Sequence, residues 1–465
     1  MLEGRAAGIN VTPNSGEPGA GVQIRVRGGT SISASNEPLY VIDGVPINNV
    51  ATEPSGIGIG GTGSLPRNPV NLLNPADIAS ITILKDASAT AIYGARAANG
   101  VILVETKKGA VGGATMDYDG YVAMATPARY LNLLNGDEYR TFVQDQVAAG
   151  NLAASRLANL GTANTDWERA ATRTAATTNH NLSFAGGTEE TRYRASLNYL
   201  NQQGVALSSG FKRFQGRLNA AHQALDDRLR LTINLSASHV INDYLPFENT
   251  GGFEGGVFQN VAVFNPTQPI KLIDPATGRE IYYEIGTGSQ SVRNPVALAE
   301  QIEDIGKTTR ALGNVTTELE LLSGLTATLN VGADRSDGTR RTYFPRESPV
   351  GAVWQGRARQ VNRDNTSVTL QTLLTLRQQF GNHGLDVVGG YEFNEFTTAE
   401  FGAEARNFLT DAFSFNNLAG GNELIKPFSF REDSRLVSFF GRANYSLQDR
   451  YFLTGVLRYD GSSRF

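Results

Sequence analysis

A chain of 465 residues is long enough for two or three domains, or for one large barrel preceded by a small domain. Its formal charge of −4, without a block of lysine or arginine, argues against nucleic-acid binding. The lack of cysteine excludes disulfide frameworks, thiolate metal sites and cysteine nucleophiles. The histidines are widely spaced without a metal-ligand pattern, and we interpret them as ordinary strand or turn positions: His180, His222, His239 and His383.

The N-terminal segment MLEGRAAGIN lacks the basic and apolar regions of a signal peptide. No apolar run approaches the roughly 18 to 20 residues of a membrane helix. Modest hydrophobicity, abundant glycine and many tyrosines and phenylalanines are nevertheless typical of strands that show an apolar side to lipid and a polar side to water.

The first predicted elements belong to a small domain from residue 1 to about 114. Residues 22–28 (VQIRVRG) alternate apolar and polar side chains as a half-buried strand does. Residues 39–47 read as two short strands about the tight turn Asp43-Gly44. The stretch 51–70 is rich in Gly, Ser, Pro and Thr, which predicts a long flexible loop.

The domain continues with a strand over 78–85 and a short helix over 87–93, whose N-cap is Asp86. Gly94 and Gly100 interrupt the chain, and 101–107 (VILVETK) is a buried strand. These elements together predict a small α+β unit.

Three patterns in this part of the chain resemble functional motifs. Glycines 58, 60 and 63 spell G-x-G-x-x-G, but no strand precedes them and no helix follows, so we interpret them as a glycine loop. Lys85, Asp86 and Arg96 lack a partner nucleophile, which favours a salt bridge or cap within the domain over acid–base chemistry. DYDG at 117–120 lacks the spaced ligands of a calcium loop and is predicted to be a strand.

From about residue 115 to 465 the sequence changes to segments with period-two alternation. In 191–202, Tyr193, Leu197 and Tyr199 fall on one face, and Arg194 and Asn198 on the other. Eleven strands are predicted, near 115–125, 177–186, 191–201, 211–223, 228–240, 308–321, 325–336, 366–380, 384–397, 434–447 and 450–461.

Short turns follow the second, fourth, sixth, eighth and tenth strands, at 186–190, 224–228, 322–324, 381–384 and 448–450. The other connections are mostly long: 126–176, 241–307, 337–365 and 398–433. This parity is typical of outer-membrane barrels, with tight turns on the periplasmic side. Residues 128–150 form an amphipathic helix candidate. In 241–307, aromatic side chains could stack on sugars, although we favour packing: Phe247, Phe253, Phe258, Phe264, Tyr282 and Tyr283.

The first domain resembles the plug of SusC-like (SusC/RagA) TonB-dependent outer-membrane transporters. The resemblance rests on PLYVIDGVP (38–46) and LKDASATAIYGARAANGVILVETKKG (84–109), and RVRGGTS (25–31) departs slightly from the family pattern. It implies a structural or gating role for the signature residues Arg25, Arg27, Gly28, Tyr40, Asp43, Gly44, Lys85, Asp86, Tyr93, Gly94, Arg96, Asn99 and Gly100.

By the same resemblance, residues 1–114 are a plug, and 115–465 are half of a transmembrane antiparallel barrel of 22 strands. The family imports bulky nutrients, such as oligosaccharides or peptides, across the outer membrane. It works with a SusD-like surface lipoprotein and the TonB–ExbB–ExbD complex, and it has no cofactor and no enzymatic step. Because eleven strands would leave two edges open to lipid, we expect a fragment that lacks the signal peptide, the TonB box and the rest of the barrel.

Three alternatives stay open. The barrel could be a receptor or adhesin that binds its ligand without importing it. It could import a siderophore or cobalamin, although the SusC-like sequence of the plug argues against this. A glycosidase would need paired carboxylates about 5 to 10 Å apart, and the sequence does not identify such a pair. The sequence does not identify the substrate or the residues that bind it.

Overall fold

The small N-terminal unit is built from two short sheets. The computed structural model describes residues 9–13, 15–26, 37–47, 51–57, 73–85, 91–245, 256–285, 292–448 and 450–464. Strands β1 (Ile9–Pro13) and β2 (Val22–Val26) form an antiparallel pair. Strands β3 (Leu39–Ile42), β4 (Val45–Ile47), β5 (Ile78–Leu84) and β6 (Val101–Thr106) form a sheet in the order β4-β3-β6-β5.

The predicted hairpin at Asp43-Gly44 is confirmed. Both residues have positive φ, 47° and 87°, as the tight turns that suit the right-handed twist of hairpin strands require. Side chains of both sheets fill one small core, which includes Ile24, Tyr40, Ile42, Ile102 and Val104. The unit therefore has its own hydrophobic interior.

Other predictions for this unit need correction. The strand predicted over 22–28 is present as Val22–Val26, with residues 27 and 28 outside the described residues, and strand β1 is an element that the sequence does not predict. Of the predicted helix 87–93, residues 86–90 lie outside the described residues, and Ala91–Ala97 forms 3-10 turns. Gly94, with φ 65° and ψ −155°, interrupts these 3-10 turns.

A second, much larger sheet contains all eleven predicted strands. They are β7 (Gly112–Ala125), β8 (Ala175–Gly187), β9 (Thr191–Gln203), β10 (Gly210–Ala224), β11 (Leu229–Asp243), β14 (Glu303–Leu322), β15 (Leu325–Phe344), β16 (Arg357–Phe380), β17 (His383–Phe408), β18 (Gly421–Leu447) and β19 (Tyr451–Ser462). Each strand pairs antiparallel with its neighbour in chain order, and among the described residues β7 and β19 are the edges. We call this sheet the wall. Strands β12 (Lys271–Ile273) and β13 (Glu280–Tyr282) form a separate hairpin.

The two faces of the wall differ in chemistry. On β9, Ser196 and Asn198 are buried against the small unit, whereas Leu197 is 60% exposed on the opposite face. The same alternation follows β10, where Arg217 is buried and Leu218 is exposed. We call these the plug face and the outer face. A polar inner and an apolar outer face are those of a membrane barrel wall.

The predicted parity of connections is confirmed, but two long loops are shorter than predicted. Strands β15 to β18 continue well past the segments predicted for them, so the loops reduce to 345–356 and 409–420. The alternation stops at about Arg335 because the outer face there becomes charged, while the hydrogen-bonded ladder continues. We call the end with short turns the turn side and the other end the loop side.

The long connections fold into short helices on the loop side. They are α1 (Gly136–Ala148), α2 (Trp167–Ala170), α3 (Val257–Val263), α4 (Pro295–Gln301) and α5 (Pro349–Ala352). The helix predicted over 128–150 begins only at Gly136, because Asn135 and Glu138 form a capping box that starts a helix there. Within the described residues, none of the helices has the length and apolar character needed to cross a membrane.

Candidate gating site

The turn between β3 and β4 is anchored to the wall by an ion pair. Arg217 of β10 donates to the carboxylate of Asp43 and to the hydroxyl of Thr106. Thr106 also donates from its backbone N–H to Asp43 at 3.0 Å. The side chains of Arg217 and Asp43 are 5% and 6% exposed. Removing one partner from a pair this well buried typically costs about 3–5 kcal/mol, because it leaves the other charge uncompensated.

A row of asparagines extends this anchor across four wall strands. Asn219 donates to Asn234 at 2.6 Å, Asn234 to Asn314 at 3.1 Å, and Asn314 to Asn330 at 2.9 Å. Asn314 and Asn330 also donate to the backbone carbonyls of Asp43 and Gly44, both at 3.3 Å. The hairpin turn thus rests on a continuous polar strip.

A second charge cluster holds the 3-10 segment of the small unit. Arg96 donates to Glu392 of β17 at 2.6 Å, and the Glu392 side chain is only 3% exposed. Asn394 and Gln371 donate to the same carboxylate at 2.6 and 3.2 Å. Arg458 of β19 lies 3.9 Å from it and donates to the backbone carbonyl of Ile92. The sequence predicts a salt bridge or cap within the domain for Arg96, and this prediction is wrong. Arg96 pairs with the wall instead, because β17 places Glu392, which is distant in sequence, beside it.

Gly94 lets the backbone approach this cluster closely. Its φ of 65° is unfavourable for other residues, and an added Cβ would lie 2.6 Å from Nε of Arg458. A side chain at position 94 would therefore displace the guanidinium or the turn.

A third contact is made by residues 51–57, which we had assigned to a flexible loop. Thr52, Glu53 and Ile57 are buried, and residues 58–70 of that loop, including the G-x-G-x-x-G glycines, lie outside the described residues. The Glu53 carboxylate accepts from Asn242 at 2.5 Å, from Thr308 at 3.0 Å and from the Tyr244 hydroxyl. Buried donors from two wall strands explain why a Gly- and Pro-rich segment is held in place here.

Ile57 connects this segment to a hydrophobic core formed by the loops. That core contains Trp167 from the β7–β8 connection, Val257, Phe264 and Leu298 from the β11–β14 connection, and Phe344 at the end of β15. Trp167 and Phe264 meet edge to face at 4.7 Å between ring centroids. The preference for packing is confirmed for Phe264, and Tyr282 and Tyr283 pack partly buried against the same core. Phe258 is exposed, and Phe247 and Phe253 lie outside the described residues. Residues 51–57 therefore contact both the wall and the core of the loops.

An ionisable group sits at the edge of the loop core. The backbone N–H of Asn294 donates to the Glu284 carboxylate at 3.1 and 3.2 Å, and the Asn294 side chain caps α4. Burial raises the pKa of Glu284 to about 7, although this hydrogen bond and the Arg293 charge oppose the rise. Helix α4 is buried in the loop core, so a change in the charge of Glu284 occurs next to the start of a buried helix.

The structure separates the signature residues into three groups. Asp43 and Arg96 contact the wall directly, and Gly94 allows one of these contacts. The second group serves the small unit itself: Tyr40 lies in its core, Gly100 has positive φ, Tyr93 packs against β3, Asn99 lies in the turn before β6, Lys85 is half-buried and Arg25 is exposed beside Gln23. Gly44 belongs to both groups, since it has positive φ and its carbonyl accepts from Asn330 of the wall. Arg27, Gly28 and Asp86 lie outside the described residues.

None of the wall residues that contact the small unit could be identified from the sequence as a partner. Arg217, Glu392 and Asn314 lie on strands that were predicted, but their partners depend on which strands face the small unit. A signal was present, since Arg and Glu at inward positions of a barrel strand need a partner.

Comparison with known proteins agrees with this geometry. Residues 1–101 match the family model described as TonB-dependent Receptor Plug Domain. The whole chain aligns at 34% identity with the TonB-dependent receptor SusC of Bacteroides thetaiotaomicron, of which it covers 45%. The chain belongs to the SusC-like TonB-dependent receptors. A second relative in this family, TonB-dependent receptor P3 of Formosa agariphila, is 34% identical over the whole chain, which covers 43% of it. The chain thus spans slightly less than half the length of these two relatives.

Solved structures support the same SusC-like arrangement. The RagAB peptide importer in its open-open state superimposes with a TM-score of 0.80 at 26% identity, over 100% of this chain and 52% of that one. The siderophore receptor PirA from Acinetobacter baumannii matches with a TM-score of 0.54 at 17% identity, which shows a shared fold only. The small unit is accordingly a plug, and the wall is part of a TonB-dependent barrel.

Proposed function

We propose that this protein imports a bulky nutrient, an oligosaccharide or a peptide, across the bacterial outer membrane in a TonB-dependent cycle. The wall would lie in the membrane with its loop side outward, and residues 1–114 would act as the plug of the channel enclosed by 115–465. Membership of the SusC-like family supports the proposal.

The observation that carries the proposal is the polar character of the plug–wall interface. The plug has its own hydrophobic core, to which Leu312 of the wall adds one partly buried apolar contact. The anchors described above are ion pairs and hydrogen bonds from Asp43, Arg96 and Glu53. Polar groups can exchange protein partners for water, so these anchors can be released without leaving their donors and acceptors unsatisfied. An interface of this kind suits a part that moves, whereas permanent interfaces are more hydrophobic.

The same contacts suggest how a signal would cross the membrane. A nutrient that rearranges the loops would act on Ile57 and, through residues 51–57, on Glu53. A pull on the plug from the turn side would then have to break the Arg217–Asp43 and Arg96–Glu392 pairs. These pairs would keep the channel closed until a nutrient is bound.

Partners follow from the family and are part of the proposal. A SusD-like surface lipoprotein would cover the loop side as a lid, and TonB with ExbB and ExbD would supply force. RagAB is a peptide importer, and the resemblance to SusC-like transporters implies oligosaccharides as well as peptides, so both substrate classes are retained. Passage needs no covalent step, and we propose none.

Uptake measurements test the proposal. Cells with the encoding gene intact, deleted or restored should be given fluorescent oligosaccharides and labelled peptides, with and without a protonophore. We expect accumulation that requires both the gene and the proton gradient. Binding without accumulation would favour a receptor or adhesin, and restored growth on iron-siderophore complexes alone would favour a siderophore importer.

A further inference from the structure

The outer face of the wall carries a groove that the proposed function does not use. It has a volume of about 550 Å³ and lies over β8 to β11. Its floor contains Gly216 and Ala237, which are cross-strand partners. Its walls are larger and mostly aromatic side chains: Tyr118, His180, Leu197, Tyr199, Phe214 and His239.

The groove is open to the surroundings of the wall, and the plug does not reach it. Leu197 and Phe214 are 60% and 47% exposed, whereas their neighbours Asn198 and Arg213 are buried on the plug face. Phe214 lies close to Gly210, the loop-side end of β10. Aromatic side chains at this height are typical of the boundary between hydrocarbon and head groups.

Two lysines lie just beyond the groove on its loop side. Lys212 and Lys307 are both exposed, and both are cross-strand partners of Ile241, so they flank it on the outer face. The carboxylate of Asp243 interacts electrostatically with Lys212 and Lys307, and its negative charge opposes theirs. The rim above the apolar groove is thus positively charged overall.

We propose that the groove binds one acyl chain of a phosphorylated glycolipid of the lipid A class, with a phosphate held by Lys212 and Lys307. The small floor residues leave room for a chain, and the aromatic walls provide apolar contact. Lysine binds phosphate as a point charge. The loop-side position selects the outer leaflet, so the inference rests on the proposed location in the outer membrane.

The decisive variant fills the groove without breaking the wall. A Cβ at position 216 would contact only Cδ2 of Leu197, at 3.6 Å, so Gly216→Leu should be accommodated. Gly389→Leu is the matched control, because it adds the same side chain to the outer face of β17, where a Cβ meets nothing within 4 Å. Lys212→Gln with Lys307→Gln tests the phosphate contact, with the exposed Lys426→Gln as control.

Native mass spectrometry of protein extracted from outer membranes, with lipid A added back, gives the readout. We expect lipid A on the unchanged protein and on both controls, at least tenfold weaker binding for Gly216→Leu, and severalfold weaker binding for the double lysine variant. Equal binding by Gly216→Leu and Gly389→Leu, equal binding of dephosphorylated lipid A, or retention of glycerophospholipid instead would overturn the inference. Membrane fractionation separates the two proposals, because protein absent from the outer membrane would contradict the proposed function itself.

Discussion

Replacing Arg217 by methionine should loosen the plug. The substitution keeps a long side chain but leaves Asp43 buried without its counter-charge. Breaking such a pair costs about 3–5 kcal/mol, and we expect the lower end, because Thr106 still donates two hydrogen bonds to the carboxylate. About 3 kcal/mol corresponds to a roughly 100-fold larger population of the displaced plug.

Cysteine labelling measures that population directly, because the chain has no cysteine of its own. Ser238→Cys places a single thiol on the plug face of β11, at a position that is 6% exposed. In purified full-length protein, its reaction with a water-soluble maleimide should follow the open fraction. The Arg217→Met background should raise the labelling rate by about two orders of magnitude.

Arg230→Met provides the matched control. Arg230 lies 3.9 Å from Glu318, but both side chains are largely exposed, and such pairs contribute about 0–1 kcal/mol. Labelling should stay within a fewfold of the unchanged protein. If Arg217→Met labels no faster than Arg230→Met, the buried pair does not hold the plug and the reasoning is refuted.

Three further predictions concern other contacts. Glu392→Gln should release Arg96 and raise passive uptake of small solutes into liposomes, and unchanged leakage would exclude a closing role for this pair. Gly94→Ala should lower the Tm of the plug transition, because its Cβ meets Arg458 and φ is 65°; an unchanged Tm would show that the turn can relax. The raised pKa of Glu284 means that its loop is most stable below about pH 4.5, the ordinary value, and loses stability as pH rises through about 7. The hydrogen-exchange protection factor of the Asn294 amide should therefore fall from pH 5 to pH 8, and Glu284→Gln should remove this dependence.

The strands could be predicted because a wall with two unlike faces imposes alternation on the sequence. In β9 and β11 the alternation is complete, and the predicted and observed segments agree closely. It fails where β15 to β18 extend beyond the predicted segments: in β15 the outer face becomes charged from Arg335 onward, so apolar and polar residues no longer alternate there.

The candidate gating site was only half predictable, for a topological reason. Asp43 and Arg96 were found through the family resemblance, yet Arg217 and Glu392 lie far along the chain from them. Their partnership depends on how the plug sits against the wall, which no local pattern encodes. Residues 51–57 have neither helix nor strand, as Gly and Pro predict, but their burial was not predicted, because the donors Asn242 and Thr308 that hold Glu53 lie far along the chain.

The most direct test of a moving plug is a thiol that only plug displacement can uncover. Ser438 is fully buried and lies directly across from Glu392 on the neighbouring strand, so Ser438→Cys reports on the Arg96–Glu392 contact. In cells given the imported nutrient, we predict that maleimide labelling at this position is at least tenfold faster when TonB is present than when TonB is deleted. Equal labelling with and without TonB, in cells that accumulate the nutrient, would contradict gating by the plug.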